Sequence, residues 1–552
     1  MARKKKELEI CVLDFETDPF RYGRMPEPFA CGVAFESGEY IDFWGDDCVD
    51  QMIRHFNGRE KPCLIYAHNG GKFDFFFFLD YLGGKTRIIN GRVAQADFGK
   101  HVVRDSYCAL PIPLSAYKKD EIDYDLFERD VREANKSDIL LYQRHDCEYT
   151  LKLILKFRSN FGDKLTIGSA AISSLKEFHD FSIIGEIQDS DFRDYYYGGR
   201  VQCFEKGILI DDWKVYDVNS SYPDTMQRLS HPISGRYVEV TGKFKIGADG
   251  WVNRFKNQPY MCDCEIVLSD DLRVGLPLRC KVDGVGKLTF EARAGRFKAC
   301  SHELQWLVAN GYCKIVHIHR LIIFQDVSNF KEFVDYWVEE KIRCETEGDD
   351  EGRTIAKLVL NSAYGKFASN PENYFDWVLL RLGEDPPDRF LEPQVVGDSV
   401  FWKKPSEKKR YLNVATAAFI TSGARLTLMK ALVRSERPAY CDTDSIICRD
   451  MEGVEIHDTK LGAWKCEAWG SELAVAGKKM YSLTNGDAPV NKKGAMWKKA
   501  SKGGVLSASE VRRVAMGECV EWESMAPSYR IGMVVDPTAP EKNFTKRKIR
   551  AT

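Results

Sequence analysis

The chain has 552 residues, 44% of them apolar, and a formal net charge of −2. That is length for three or four domains and enough apolar surface for several cores, which excludes a disordered or fibrous protein. The near-neutral balance gives no whole-chain reason to expect nucleic acid, but positive charge is segregated into Arg3 to Lys6, Lys403 to Arg410, Lys492 to Lys502 and Lys546 to Arg550, each of which alone reads as a solvated face.

The chain opens on MARKKK, and Glu7 and Glu9 follow where a secretory signal would turn apolar. LEICVLDFETD then alternates like a half-buried strand, which places Asp14 and Glu16 on one face. In YAHNGGKFDFFFFLDYL a Gly-Gly turn leads into an apolar run too short and too acidic to span a bilayer, and Asp74 falls near the start of a helix. YQRHDCEYTLKL is helical in pattern and stacks Tyr142 and Asp146 on one face. Each acid alone reads as a strand-side charge, a helix cap or a surface charge; four acids and a tyrosine on strand, helix and helix can also form one metal cluster.

WKVYDVNSSYPDTM begins as an alternating strand through Asp217 and breaks at Tyr222 and Pro223. Cys262 with Cys264 and His317 with His319 lack a second pair at zinc-ligand spacing, and seventeen cysteines without a repeated spacing fit a reducing compartment better than a disulfide framework. In GRTIAKLVLNSAYGKFASNP, Lys357, Asn361 and Tyr364 share a helix face up to Gly365, an arrangement suited to a triphosphate and a base, or to an ordinary amphipathic helix. The segment from about 369 to 413 holds Pro386, Pro387, Pro393 and Pro405 and reads as a solvated loop. YCDTDS, between two apolar runs, puts Asp442 and Asp444 at a tight hairpin turn, where side-by-side carboxylates need a cation.

DFETD, HNGGKFD and YxxxD, in that order, resemble the three motifs of proofreading 3′–5′ exonucleases, and DVNSSYP, KLVLNSAYG and YCDTDS resemble motifs A, B and C of family B DNA polymerases. YYGG at Tyr196 to Gly199, KLGAWKCE and KMY resemble elements of the protein-primed subfamily, closest to the polymerases of tectivirus-type bacteriophages. The resemblance implies a multidomain α/β (α+β) chain: an RNase H-like exonuclease over 1–190, palm over 191–229 and 414–505, fingers over 331–368 and thumb over 506–552. It further implies a priming-protein insertion over 230–330 and a strand-displacement insertion over 369–413.

On the same resemblance Asp14, Glu16, Asp74 and Asp146 hold two Mg2+ ions, for which Mn2+ can substitute, while Tyr142 helps orient the water and Lys119 assists at the phosphate; Lys118 is the alternative to Lys119. Asp217, the Val218 carbonyl and Asp442 hold two more, with Asp444 beside them. Lys357, Lys341 and Arg353 contact the triphosphate, Asn361 lies beside them, Tyr222 gates against a 2′-hydroxyl, and Tyr364 packs on the nascent pair. Asn69, Phe73, Ser106, Tyr196, Gly198, Gly199, Lys479 and Tyr481 contact DNA. Ser221 and Ala363 replace leucines usual in motifs A and B. The implied partners are template and primer, dNTPs, a terminal priming protein and a single-stranded DNA-binding protein, for a soluble monomer in the cytoplasm of an infected host cell. A repair polymerase primed by RNA or DNA, and a non-catalytic nucleic-acid-binding scaffold, are the competing readings.

Overall fold

The alternation around Asp14 becomes the strand Glu9–Thr17, flanked by the parallel strand Cys63–Ala67 and the antiparallel strand Pro28–Phe35. The computed structural model describes residues 8–551 apart from 22–23, 243–249, 251, 253, 256–257, 272, 283–284, 408, 486–497 and 525–544. The N-terminal sheet continues through His101–Asp105, Arg92–Phe98 and Leu82–Ile89, with Tyr40–Trp44 at its other edge. Both faces are covered, as strands with parallel neighbours require. Cys11, Leu13 and Phe15 enter one core. Ile10 and Val12 enter another, shared with Cys147, Leu151 and Ile154 of the long helix Lys136–Phe161. Since side chains alternate, Asp14 and Glu16 fall on the side of that helix.

Gly70 and Gly71 are forced by space, because a β-carbon would stand 2.6 Å from the Ala67 β-carbon at one and 2.3 Å from the Val93 carbonyl oxygen at the other. Asp74 opens a 3₁₀-helical run, Asp74–Tyr81, rather than an α-helix.

A second sheet runs in the order Lys498–Ser501, Met480–Thr484, Trp464–Gly477, Gly207–Val218, Ser445–Cys448, Tyr440–Asp442, Val201–Cys203. The helix Val414–Arg434 packs against it, buried along most of its length. The central strand runs through Asp217 to Val218, as the alternation implied, but breaks before Tyr222: Ser220 turns through φ 52° and the helix Ser221–Arg228 begins. Pro223 sits in its first turn, where a missing N–H costs no intrahelical bond.

The helices Lys331–Glu347 and Asp350–Phe367 reverse at Gly348 (φ 72°), and Asp349 caps the second by accepting from the Gly352 N–H at 2.8 Å. Trp337, Ile355 and Val359 share one core with Phe157, Ile172 and Leu175, so this helix pair is rooted in the N-terminal region. Residues 230–330 form a sheet ordered Tyr237–Thr241, Cys313–Phe324, Tyr260–Leu268, Ala294–Cys300, covered by the helix Ser301–Ala309. The helix Ala508–Ala515 starts with a Ser507–Glu510 capping box and packs beside the hairpin of Val520–Glu523 and Lys546–Ile549.

The proline-rich segment is not a loop. Phe375–Arg381, Leu391–Val396 and Ser399–Pro405 are antiparallel strands that extend the N-terminal sheet, with Trp377, Val378 and Leu379 paired to Thr86, Lys85 and Gly84. Leu379, Val396 and Phe401 join that sheet's core. The prolines are accommodated at the turn (Pro386, Pro387), at a register shift (Pro393) and at a strand end (Pro405).

The basic clusters are largely matched by acids: Lys403 pairs with Glu392, Lys409 with Glu372 at 2.5 Å, Lys498 with Glu467, Lys546 with Glu523 at 3.1 Å and Lys548 with Glu521 at 3.2 Å. Arg3 to Lys6 and most of Lys492 to Lys502 lie outside the described residues. Cys262 and Cys264 are buried, His319 pairs with Glu265 at 2.9 Å, and among the described residues no helix is long and apolar enough to cross a membrane.

Candidate active sites

The first site lies where the N-terminal sheet meets the helix Lys136–Phe161. A cavity of about 870 Å³ is lined by Asp14, Glu16, Asp74, Asp146, Tyr142 and Lys119, and also by Asn69 and Phe73. Burial drives the Asp14 carboxyl well above the ordinary range, with repulsion from Glu16, Asp74 and Asp146 added and Lys119 opposing. Burial pushes Glu16 up to about 8, helped by Asp146. Asp74 rises to about 7 for the same reason, although its own N–H and that of Phe15 (3.3 Å) donate to it. Asp146 is raised by burial against the pull of the Lys119 ammonium, 3.3 Å away.

Tyr142 exchanges a hydrogen bond with the Tyr124 hydroxyl at 3.3 Å, and Lys119 stands 5.3 Å above its ring. Lys118 instead lies over Tyr149. Phe73 packs edge-on against Phe20 and Phe77. Asn69, held at φ 64°, accepts from Arg92 at 3.0 Å. Ser106 is off the wall: fully buried, it bonds His68 at 2.9 Å, and His68, Arg92 and Tyr107 line the cavity in its stead. The sequence pattern missed Arg92 because its partner, Asp105, lies on another strand.

The second site lies on the second sheet. Asp217 ends the central strand opposite Ser445, and the Val218 N–H donates to the Asp444 carbonyl at 2.9 Å. Asp442 and Asp444 flank Thr443, which is held at φ 60° in a two-residue hairpin. The two acids do different things. Burial and repulsion from Asp444 and Glu467 push Asp217 up to about 7, and burial pushes Asp444 up to about 6. Asp442 instead accepts from the Lys479 ammonium at 2.8 and 2.9 Å, from the Tyr440 hydroxyl at 3.1 Å and from the Thr443 hydroxyl at 3.1 Å.

Glu467 and Lys498 were not singled out in the sequence. Glu467 closes KLGAWKCE, two residues beyond Lys465, which pairs with Asp217, and sits at a register shift between Cys466 and Ala468 that strand periodicity does not announce.

Tyr222 and Tyr364 stack at 3.9 Å and 18°. Ser221 and Ala363 are both buried, consistent with packing positions. Lys357 and Asn361 are exposed on the same helix, with the Asn361 amide donating to the Lys357 carbonyl at 3.0 Å; Arg353 lies 3.9 Å from Asp350, and Lys341 is half-exposed on the preceding helix. Tyr481 is buried against Tyr440.

The connection between the sites is fixed by arginines. Arg279 donates to the Tyr196 carbonyl at 2.6 Å, Arg425 donates to those of Tyr197 (2.7 Å) and Gly198 (3.0 Å), and the Arg200 carbonyl accepts from the Thr443 N–H at 2.7 Å.

Among the described residues no three His, Cys, Asp or Glu side chains converge to hold a metal ion. The donors at both sites are nonetheless hard carboxylate oxygens, the kind that suits magnesium, and Asp146 Oδ1 is buried without a hydrogen-bond partner.

The fold and its two acidic sites define a class of enzyme. Residues 109–452 match the type B DNA polymerases, organellar and viral, and this chain belongs to that family. It is 39% identical over 578 aligned residues to the DNA-directed DNA polymerase of Enterobacteria phage PRD1, covering 100% of this chain and 99% of that protein. Identity to the DNA polymerase of Bacillus phage phi29 is 27% over 415 residues, 69% of this chain and 67% of that one. The phi29 polymerase solved with primer-template DNA and incoming nucleotides shares the fold, with a TM-score of 0.71 at 19% identity over 99% of this chain and 100% of that one. The chain is accordingly a DNA-directed DNA polymerase of the PRD1 and phi29 kind.

Proposed function

We propose that this polymerase proofreads its product by 3′–5′ excision, starts synthesis on a terminal priming protein and displaces the strand ahead of it. The observation that carries the reading is the presence of two separate groups of half-buried or buried carboxyls with raised proton affinity, one in a cavity beside exposed aromatic rings and one on the central strands of the second sheet.

For synthesis, Asp217, the Val218 carbonyl and Asp442 are the ligands we assign to two Mg2+ ions, with Mn2+ as a substitute and Asp444 beside them. When bound, such ions supply charge neutralisation at the phosphate and favour deprotonation of the attacking hydroxyl. Lys479, which holds Asp442, is also the residue we assign to the primer end. Lys357, Lys341 and Arg353 bind the triphosphate, with Asn361 alongside; the Tyr222 ring fills the space of a ribose 2′-hydroxyl, and Tyr364 stacked on it packs against the nascent pair.

For excision, Asp14, Glu16, Asp74 and Asp146 are the corresponding ligands. Tyr142 and Lys119 orient the water and the phosphate, and Asn69 and Phe73 hold the single-stranded end, where an aromatic face suits stacking without sequence preference. Residues 230–330 are the surface proposed for the priming protein, and 369–413 for strand separation. A single-stranded DNA-binding protein and the cytoplasm of an infected host complete the setting.

Two experiments test this. The purified chain with Mg2+, a labelled nucleotide and the candidate priming protein is expected to put label on the protein; label found on DNA alone would refute protein priming. Asp14→Ala with Glu16→Ala is expected to extend primers normally but leave mismatched ends in place, and continued mismatch removal would refute the nuclease assignment.

A further inference from the structure

Gln143 sits between Tyr142 and Asp146 in sequence but does not line the cavity they line. It is fully buried. Its side-chain Nε2 donates at 3.2 Å to the main-chain carbonyl of Asp14, 129 residues away. One turn along the same helix, the Cys147 thiol donates at 3.5 Å to the carbonyl of Gly32, the residue that faces Asp14 across the strand pair. The helix therefore bonds both carbonyls of one cross-strand pair. Gly32 must be glycine for this: a β-carbon there would stand 3.0 Å from Gln143 Cγ and 2.6 Å from the Tyr40 hydroxyl. That hydroxyl and Gln143 Oε1 are both buried without a hydrogen-bond partner beside the same point.

A buried amide costs more than a leucine of similar volume unless its hydrogen bonds do something. Here the bond ties the helix bearing Asp146 and Tyr142 to the strand bearing Asp14 and Glu16. We infer that Gln143 is a positioning residue of the excision site, setting the spacing between the carboxylates of strand and helix, with Gly32 kept small to admit it. The inference rests on the nuclease reading given above.

The test is Gln143→Met, which keeps the volume and removes the donor. Removal of a residue that orients metal-binding groups typically costs about 10- to 100-fold. The expected result is a fall of that size in kcat for excision of a single strand, with unchanged Kd for the strand in EDTA and unchanged primer extension. Gly32→Ala, which displaces the glutamine without altering it, is expected to do the same. Excision kcat at the wild-type level in both variants would overturn the inference; so would a parallel loss of extension, which would mark Gln143 as general packing. A wild-type chain that excises nothing would instead refute the nuclease reading itself.

Discussion

Gly199 and Thr443 approach so closely that a β-carbon on Gly199 would stand 2.6 Å from the Thr443 hydroxyl oxygen and 2.8 Å from its β-carbon. Thr443 is the middle residue of Asp442-Thr443-Asp444 and already carries the strain of a β-branched side chain at φ 60°. The segment between the two sites thus props the turn that sets both acids.

Gly199→Ala must move that turn, since the contact involves Thr443 Cβ and no side-chain rotation relieves it. Displacement of a catalytic group by about 1 Å costs roughly a hundredfold. Primer extension is expected to fall by about that factor, while the proposed excision of single strands, whose acids lie at the N-terminal sheet and its flanking helices, is retained. Steady-state extension on a primed template checks this, and extension at the wild-type rate would refute it.

Asp442→Asn keeps the shape and removes the charge that Lys479 and the proposed ions share. Extension is expected to fall on the order of a thousandfold or more, because the lost stabilisation is several kcal/mol. Excision should persist, so both rates measured on one preparation separate this outcome from misfolding.

The raised carboxyls make stability depend on pH with a definite sign. Glu16 at about 8, Asp74 and Asp217 at about 7 and Asp444 at about 6 hold protons in the folded chain after the unfolded chain has released them. The folded state then binds more protons between roughly pH 4 and the folded values, so stability falls as pH rises through that window. In EDTA the unfolding temperature is expected to drop from about pH 5 to about pH 8, and Mg2+ should raise it more at the upper end. Asp74→Asn with Asp217→Asn should flatten the slope; a slope unchanged by that pair would place its origin elsewhere.

Arg425 and Glu303 form a fully buried two-bond ion pair, with Nε to Oε1 at 2.9 Å and Nη2 to Oε2 at 2.6 Å, joining the helix Val414–Arg434 to the helix Ser301–Ala309. Removing one partner strands a buried charge at a cost of about 3–5 kcal/mol. Arg425→Met should therefore lower the urea midpoint strongly, and adding Glu303→Leu should recover part of the loss. A double variant as unstable as the sum of the singles would show that the pair is not the coupled unit the distances describe.

What the sequence made legible was local. Period-2 alternation put Asp14 and Glu16 on one face, and the hairpin at Asp442 to Ser445 is written in four residues. What it hid was pairing at long range: Trp377 beside Thr86, Asp442 beside Lys479, Gly199 under Thr443. Such contacts leave no periodicity, because each half satisfies its own local rules. Ser106 shows the converse: the family resemblance implies a DNA contact there, whereas the fold buries its hydroxyl against His68.

The strands of residues 375–405 change what a deletion there would test. Trp377 to Leu379 pair with the interior strand Leu82–Ile89, and Phe401 is buried in the same core, so removing the whole segment would expose a sheet edge and damage the proposed nuclease as well. The outer part is different: Leu382 and Leu391 are exposed, Val396 is the one residue of Leu391–Val396 buried in that core, and the strand pairs only with Ser399–Pro405 among the described strands. Replacing residues 382 to 398 with a short Gly-Asn turn leaves the two inner strands paired. If this outer hairpin separates strands, the trimmed enzyme should fill gaps on single-stranded template at near the wild-type rate and lose at least about tenfold in product length when it meets a downstream duplex, a difference of about 1.4 kcal/mol. Replication of a gapped circular template under single-turnover binding, with a trap for released enzyme, reads both quantities at once. Product as long as that of the intact chain would leave the hairpin as no more than an edge to the sheet.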